Sequence, residues 1–382
     1  MRIGFFADMY KPHLSGVTNH MALYKQRFEE LGHEVFVLTY GNRDYVDTEP
    51  GVVRSPAMAW GKTGWQAGYG LAKEASELIP TLDIAHAHHP FLSGRVALAQ
   101  CRPHGVPVVF TNHTRYDIYS DAYAWFIPRP LRMAYLRGFL HRFASQVDTV
   151  IAPSPGIRQW LCEFGVTCDA LLMPNAIDTR PFAAPANPAT RSDVSLPADS
   201  IVFCYLGRLG PEKNLPMLVD AFIDAAGRDE RIALMLIGDG PSRGQATERL
   251  WAHGLRDRVH FTGMMPYSQV PDLLATADVF ATASVSEVHP LVVLEAMAAG
   301  LPALGVRSPG VGDTVHDGAT GFLTAEDPRE FADRMVELAG DAALRERMGT
   351  AARDDALRYD IRDAADTLLG LYEHLIERKR TS

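Results

Sequence analysis

Glu287 and Glu295 stand on either side of seven intervening residues in the run Ser286-Glu287-Val288-His289-Pro290-Leu291-Val292-Val293-Leu294-Glu295-Ala296-Met297-Ala298-Ala299-Gly300. Residues 278–283, just before it, read as a buried strand. Pro290 suits the first position of a helix, and residues 291–299 are good helix formers that stop at Gly300. Glu287 then lies in the loop at a sheet's carboxyl edge, with Glu295 about a turn and a half into the helix. The helix start, His289 through Pro290, Leu291 and Val292, offers free backbone donors and a positive dipole end, which favour an anion such as a diphosphate. Ionised carboxylates beside it accept strong hydrogen bonds from sugar hydroxyls. These types and this spacing predict a nucleotide-sugar site.

A second cluster lies in Gly207-Arg208-Leu209-Gly210-Pro211-Glu212-Lys213-Asn214, after a strand over 201–206. Arg208 forks two oxygens and Lys213 is a mobile point charge, a pair suited to a diphosphate leaving group. A solvated loop with a local Lys–Glu contact is the plainer reading, because the generic phosphate-cradle spacings are absent. Near the N-terminus, Gly16 in Pro12-His13-Leu14-Ser15-Gly16-Val17-Thr18 allows close approach of backbone to a ligand, just ahead of a helix starting near Thr18. An ordinary turn explains the same residues.

His86 and His88 share one face at the end of a strand over 84–88. Such a pair invites a metal, yet no carboxylate or cysteine at matching spacing joins them. Cleft-lining or packed histidines are the reading, and no metal site is expected. His113, in Thr111-Asn112-His113-Thr114-Arg115-Tyr116, follows another strand's carboxyl end. There it can orient a substrate hydroxyl or stabilise developing charge, or serve structure alone.

No acidic residue occurs between Asp121 and Asp148, while Arg129, Arg132, Arg137 and Arg142 all do. On a helical wheel Met133, Leu136, Phe139, Leu140 and Phe143 form one face, which packs on its own sheet. Arg137, His141 and Arg142 lie on the other. Beside Trp125-Phe126-Ile127-Pro128, that basic face suits anionic lipid headgroups.

These residues need rigid elements to hold them, and the chain supplies a repeated kind. Apolar runs at 3–7, 34–39, 84–88, 106–111 and 149–153 alternate with helical stretches, as do runs at 201–206, 233–238, 259–262, 279–283 and 302–306. Near-continuous apolar character marks strands covered on both faces. The alternation predicts two doubly wound α/β domains with ligands beyond the carboxyl ends of their strands. The length of 382 residues fits two domains of roughly 150–200 residues. Residues 1–182 form the first domain, 183–199 an Ala- and Pro-rich linker, 200–358 the second domain, and 359–382 a final helix. That helix repeats apolar residues at Ile361, Ala365, Leu368, Leu369, Tyr372, Leu375 and Ile376.

Composition removes several classes. Hydrophobic content of 47% and charged content of 22% are those of a soluble globular protein. A formal net charge of −9 argues against general nucleic-acid binding. The four cysteines, Cys101, Cys162, Cys168 and Cys204, lack zinc-like spacing and disulfide-framework density, so reduced thiols in a cytoplasmic protein are expected. Met1-Arg2 leads straight into a short strand, so no secretory leader is expected. The chain holds no run of about 18 apolar residues, which excludes a spanning helix but leaves peripheral attachment to the cytosolic face of a membrane.

Together the motifs resemble the retaining glycosyltransferases of family 4, with the two-domain GT-B architecture. SEVHPLVVLEAMAAGLP resembles that family's E-x7-E motif, GRLGPEKN its Arg/Lys phosphate loop and TNHT its first-domain histidine motif. The resemblance covers essentially the whole chain. It implies two Rossmann-like domains facing a cleft, with the last helix crossing back onto the first. It implies that Arg208 and Lys213 hold the diphosphate, Glu295 binds ribose hydroxyls and Glu287 engages the donor sugar. His113 would sit over that sugar, and Gly16 would leave room at the cleft. Many members carry Gly-Phe after the first Glu where this chain has Val288-His289, a difference in the loop that frames the sugar. Such enzymes retain anomeric configuration and are described as needing no metal, and the chain has no Asp-x-Asp motif. Leaving-group charge would be stabilised by preorganised donors.

TNHTRYDIYSDAY and the Arg-rich stretch after it look similar to bacterial diacylglycerol glycosyltransferases. The resemblance implies a hexose moved from a nucleotide sugar, UDP-glucose in the first instance, to a membrane lipid, with His88, Arg115, Tyr116, Arg137 and Arg142 on the acceptor and membrane side. Transfer to a soluble sugar or sugar phosphate is the alternative. A non-catalytic nucleotide-binding protein and an epimerase of the same architecture are the readings from other classes. A dinucleotide-dependent oxidoreductase lacks its G-x-G-x-x-G, because Asp8-Met9-Tyr10-Lys11-Pro12 follows the opening strand. Base, sugar, linkage and oligomeric state are not encoded in any motif.

Overall fold

The computed structural model describes residues 1–13, 15–41, 45–59, 66–68 and 70–381. Leu14 of the glycine turn lies outside them. Two compact units emerge: one comprises Met1–Asp117, Phe126–Asn175 and Ile361–Ser382, the other Ile118–Trp125 and Ala176–Asp360.

The first unit is built on strands β1 (Arg2–Phe6), β2 (Glu34–Gly41), β3 (Val52–Ala59), β4 (Gln66–Gly68), β5 (Ile84–Ala87), β6 (Val108–Thr111), β7 (Thr149–Ala152) and β8 (Leu171–Leu172). Among the described residues they form an eight-stranded sheet in the order β4-β3-β2-β1-β5-β6-β7-β8. Every neighbouring pair is parallel except the antiparallel β3 and β4. The five strands read from the sequence here are all present. β3 went unread because Arg54 and Pro56 interrupt its apolar run, the composition of a strand near a sheet edge. His86 lies opposite Phe5 on one side and Val109 on the other, so His88 and His113 fall just beyond the carboxyl ends of β5 and β6.

The helix Gly16–Glu30 begins two residues earlier than the sequence indicates, because Ser15 caps it. The Ser15 side chain accepts from the Thr18 N–H, and the Thr18 hydroxyl reaches back to the Ser15 backbone. In the helix Arg129–Ala144, Leu136, Leu140 and Phe143 are buried while Arg137, His141 and Arg142 face solvent. Arg132 joins the buried side. The last helix, Ile361–Thr381, belongs to the first unit, and all seven of its periodic apolar residues are buried. Its Tyr372 ring packs 6.0 Å from Phe28.

The second unit carries β9 (Ile201–Leu206), β10 (Ile232–Ile237), β11 (Val259–Gly263), β12 (Val279–Thr282), β13 (Ala303–Val306) and β14 (Gly321–Thr324). They form a parallel sheet ordered β11-β10-β9-β12-β13-β14. Phe203, Phe222, Leu234 and Phe331 fill one side, and Val202, Phe280, Leu294 and Met297 the other. Coverage on both faces explains the unbroken apolar strands. The stretch 183–199, read as a linker, packs within this unit, with Val194 and Leu196 buried against Val202 and Phe280.

The expectation of four reduced thiols is overturned. Cys162 and Cys168 form a disulfide, with Cα atoms 4.3 Å apart. Cys162 closes the helix Pro155–Glu163, and a left-handed turn at Gly165 brings the chain back on itself. Spacing alone carried no sign of this, because the turn makes the pair neighbours. Cys101 and Cys204 are free and buried. No helix among the described residues is long and apolar enough to cross a membrane.

Candidate active site

In the second unit the loop after β9 is fixed by the loop after β10. Gly207 donates its N–H to the Ile237 carbonyl and Leu209 to that of Asp239, both at 2.9 Å, and Ser242 donates back to Leu209 at 2.9 Å. A Cβ on Gly238 would stand 2.1 Å from the Gly207 oxygen, so only glycine permits this approach. A single turn over Pro211–Lys213 follows, and Asn214 in the left-handed region starts the helix Leu215–Arg228. This short path projects Arg208 and Lys213 from the sheet's carboxyl edge.

The structure brings Lys213 and Glu287 together, with Nζ 2.7 Å from Oε1. Burial works against the ammonium charge, but Glu287, with Tyr119 and Tyr205, outweighs it and raises the Lys213 pKa. Arg208 donates to Glu212 Oε1 at 3.1 Å and to the Tyr123 hydroxyl at 2.7 Å, and that hydroxyl donates to Glu212 Oε2 at 2.8 Å. Ser286 Oγ donates to the Glu212 carbonyl at 3.0 Å, tying the two loops together. Each candidate phosphate cation therefore has a carboxylate partner.

Pro290 is the cap of the helix Leu291–Ala298 rather than its first residue. Its carbonyl accepts from Val293 at 3.1 Å, and the N–H groups of Leu291 and Val292 have no backbone partner among the described residues. A Cβ on Gly310 would lie 2.5 Å from the backbone carbonyl oxygen of Glu287, so a second glycine sets the path of the carboxylate loop. Glu295 is buried, and the Tyr267 hydroxyl donates to its Oε1 at 2.9 Å. Burial pushes this carboxyl up to about 7, with the Tyr267 hydrogen bond pulling the other way. His289 is also buried, its ring 5.3 Å from that of Tyr359, and burial lowers its pKa to about 4.

In the first unit Gly16 opens its helix, and a Cβ there would meet nothing within 4 Å. His88 Nδ1 lies 3.0 Å from His113 Nε2, and His86 stacks on His88 with centroids 4.3 Å apart. His20, His88 and His113 bring ligand atoms within 4.8 Å of one another. Their geometry is that of packed rings. The 5.3 Å separation of the His88 and His113 centroids is about the 3.0 Å nitrogen distance plus the two ring radii. The nitrogens of His88 and His113 thus face each other along one line, as in an N–H···N bond. Arg115 forks Asp117 at 2.9 and 2.7 Å and stacks 5.1 Å from Trp160. Tyr116 is buried against Phe91. Arg137 lies over Phe164 at 5.4 Å, and Arg142 is exposed.

Three contributors escaped the sequence reading: Tyr267, Tyr123 and the Gly238-Asp239-Gly240 turn. The turn alone had a legible signal, a glycine pair at a strand's carboxyl end. The others are set by contacts between elements far apart in sequence.

Residues 187–355 match the model described as "Glycosyl transferases group 1", and residues 14–180 that of "Glycosyltransferase Family 4". The alpha-monoglucosyldiacylglycerol synthase of Streptococcus pneumoniae is 31% identical over 337 residues, 85% of this chain and 75% of that protein. The D-inositol 3-phosphate glycosyltransferase of Acidothermus cellulolyticus is 29% identical over 320 residues, 78% and 69% of the two chains. Among solved structures, Anabaena HepE in complex with UDP and glucose superposes with a TM-score of 0.75 at 19% identity, covering 98% of this chain and 100% of that one.

Proposed function

Since the chain belongs to glycosyltransferase family 4 and has the GT-B fold, we propose that it moves a hexose from UDP-glucose to a hydroxyl of a membrane lipid such as diacylglycerol, with retention of configuration. The observation that carries this reading is the grouping of Arg208, Lys213 and Glu287 at one sheet edge. Arg208 and Lys213 take the diphosphate and stabilise the charge on the departing oxygen. Glu287 accepts from sugar hydroxyls, and Glu295 from those of the ribose. The acceptor hydroxyl's proton passes to the leaving phosphate. Residues 200–358 serve the donor and 1–182 the acceptor. No step assigns work to a metal.

A lipid acceptor is supported by the exposed face of the helix Arg129–Ala144. Phe126, ahead of the helix, is 69% exposed, Leu131 64% and Tyr135 67%, and Arg129 and Arg142 are exposed as well. Apolar rings and basic side chains together suit an anionic bilayer surface, where the protein would act peripherally from the cytosolic side. The test offers several nucleotide sugars with total lipid extract, and with soluble sugars and sugar phosphates in parallel, and identifies products by mass. A hexosyl lipid formed from UDP-glucose is the expected product. Product only from soluble acceptors moves the enzyme to its soluble-acceptor relatives, and nucleotide binding without product ends the transferase reading.

A further inference from the structure

We propose that His88 is a positioning residue that holds His113 in the tautomer carrying its proton on Nδ1, so that His113 meets substrate as a hydrogen-bond donor. The inference rests on the transfer reading for what His113 contacts, but not for the tautomer.

The 3.0 Å contact between His88 Nδ1 and His113 Nε2 needs one proton between two nitrogens. Both rings are held neutral, since burial and the surrounding histidines lower their pKa values well below the usual one. The direction of donation follows from the far side of His88. Its Nε2 is buried and has no hydrogen-bond partner among the described residues. Were His113 the donor, His88 would carry its own proton on Nε2, leaving a buried N–H with no acceptor. Were His88 the donor, Nε2 would be a bare lone pair. Buried N–H groups without acceptors are the rarer case. His88 therefore donates from Nδ1, His113 accepts at Nε2, and the remaining proton of neutral His113 sits on Nδ1. No hydrogen bond occupies that nitrogen among the described residues, and His113 is only partly buried whereas His88 is wholly so.

The supports of His88 keep it in register. His86 stacks on one face, and Phe5 meets the ring edge-on at 5.0 Å. His86 is itself fixed at both nitrogens, by the Tyr372 hydroxyl at 2.6 Å and the Thr111 hydroxyl at 2.7 Å. His113, accepting from His88 at Nε2 and protonated on Nδ1, cannot accept a proton at Nδ1 from an acceptor hydroxyl. It can donate to a sugar oxygen or to negative charge as it develops.

The full chain labelled with nitrogen-15 histidine reports this directly, because two-bond proton–nitrogen correlations distinguish the tautomers. His113 is expected to show a protonated Nδ1 and a bare Nε2 in the unsubstituted protein. A protonated Nε2 there overturns the proposal before any variant is made. His88→Leu removes the donor, and His88→Asn keeps an N–H near the position of Nδ1. His88→Leu is expected to lower kcat about tenfold to a hundredfold with KM for the nucleotide sugar little changed, and to release the His113 tautomer. His88→Asn should restore both. Loss of the tautomer with unchanged kcat also overturns the positioning role. If no acceptor is glycosylated by any form while the tautomer is as stated, the transfer reading fails and the assignment of His113 as a donor stands.

Discussion

Lys213 and Glu287 form an ion pair of 2.7 Å, and both side chains are less than a fifth exposed. On the proposed reading, an incoming diphosphate competes with Glu287 for the same ammonium, and the carboxylate it releases is then free for sugar hydroxyls. Lys213→Ala should therefore lower kcat/KM by about 10²–10³, the usual cost of one preorganised donor, and weaken UDP binding. Glu287→Gln should lower kcat while UDP binds at least as tightly as to the unsubstituted protein, because the competitor has lost its charge. Calorimetric titration with UDP beside steady-state rates separates the two. Weaker UDP binding in Glu287→Gln would count against competition for Lys213.

Glu295 gives a pH signature. Its folded pKa of about 7 lies above the ordinary 4.5 because it is buried. A carboxyl raised in this way contributes stability that is fully present below about 4.5 and lost as pH rises towards 7. Glu295→Gln should accordingly be more stable than the parent at pH 8, by up to roughly 3 kcal/mol, and equally stable near pH 4.5. Urea denaturation at the two values checks this. The same variant should bind UDP about tenfold more weakly with no change for pyrophosphate, which has no ribose hydroxyls. An equal loss for both ligands would place Glu295 at the phosphates instead.

What was legible in the sequence were neighbours along the chain. Glu287 and Glu295 share one loop and one helix, so strand, proline and glycine signals fixed their spacing. The seven apolar positions of the last helix showed as a period because one face is buried throughout. Partners from other elements left no such trace. Tyr267 reaches Glu295 across 28 positions, and Tyr123 reaches Glu212 across 89. Nothing near either tyrosine marks it as a hydrogen-bond donor to a buried carboxylate. β8 failed for a different reason: two residues are too short for any periodicity to appear. The helix Arg129–Ala144 is apolar on its buried side and again at Leu131 and Tyr135 outside, which blurs the very contrast a wheel relies on.

The Cys162–Cys168 bond closes a short loop, and the entropy it removes from the unfolded chain is worth about 2 kcal/mol on the loop-length relation. A reducing agent, or Cys162→Ser with Cys168→Ser, should lower the Tm of the first unit by about 4–8 °C. UDP affinity should be unaffected, because both cysteines belong to the first unit and Arg208, Lys213 and Glu295 to the second. Scanning calorimetry with and without reductant reads the shift. An unchanged Tm would mean the bridge adds nothing to stability.

The exposed face of the helix Arg129–Ala144 provides the sharpest test of the membrane. Leu131 and Tyr135 are one turn apart and both about two-thirds exposed, so apolar area is spent on solvent unless something covers it. On a bilayer each side chain regains burial, and Arg129 and Arg142 each gain about 1 kcal/mol near anionic headgroups. Leu131→Asp with Tyr135→Asp should abolish flotation with phosphatidylglycerol vesicles while leaving the Tm and UDP binding unchanged. Arg129→Glu with Arg142→Glu should weaken vesicle binding at low salt and matter less at high salt, where screening already reduces the attraction. On a lipid acceptor both double variants lose rate through a raised apparent KM, since the chemistry is intact and only delivery is impaired. Full flotation of the aspartate pair would assign that apolar face to something other than lipid.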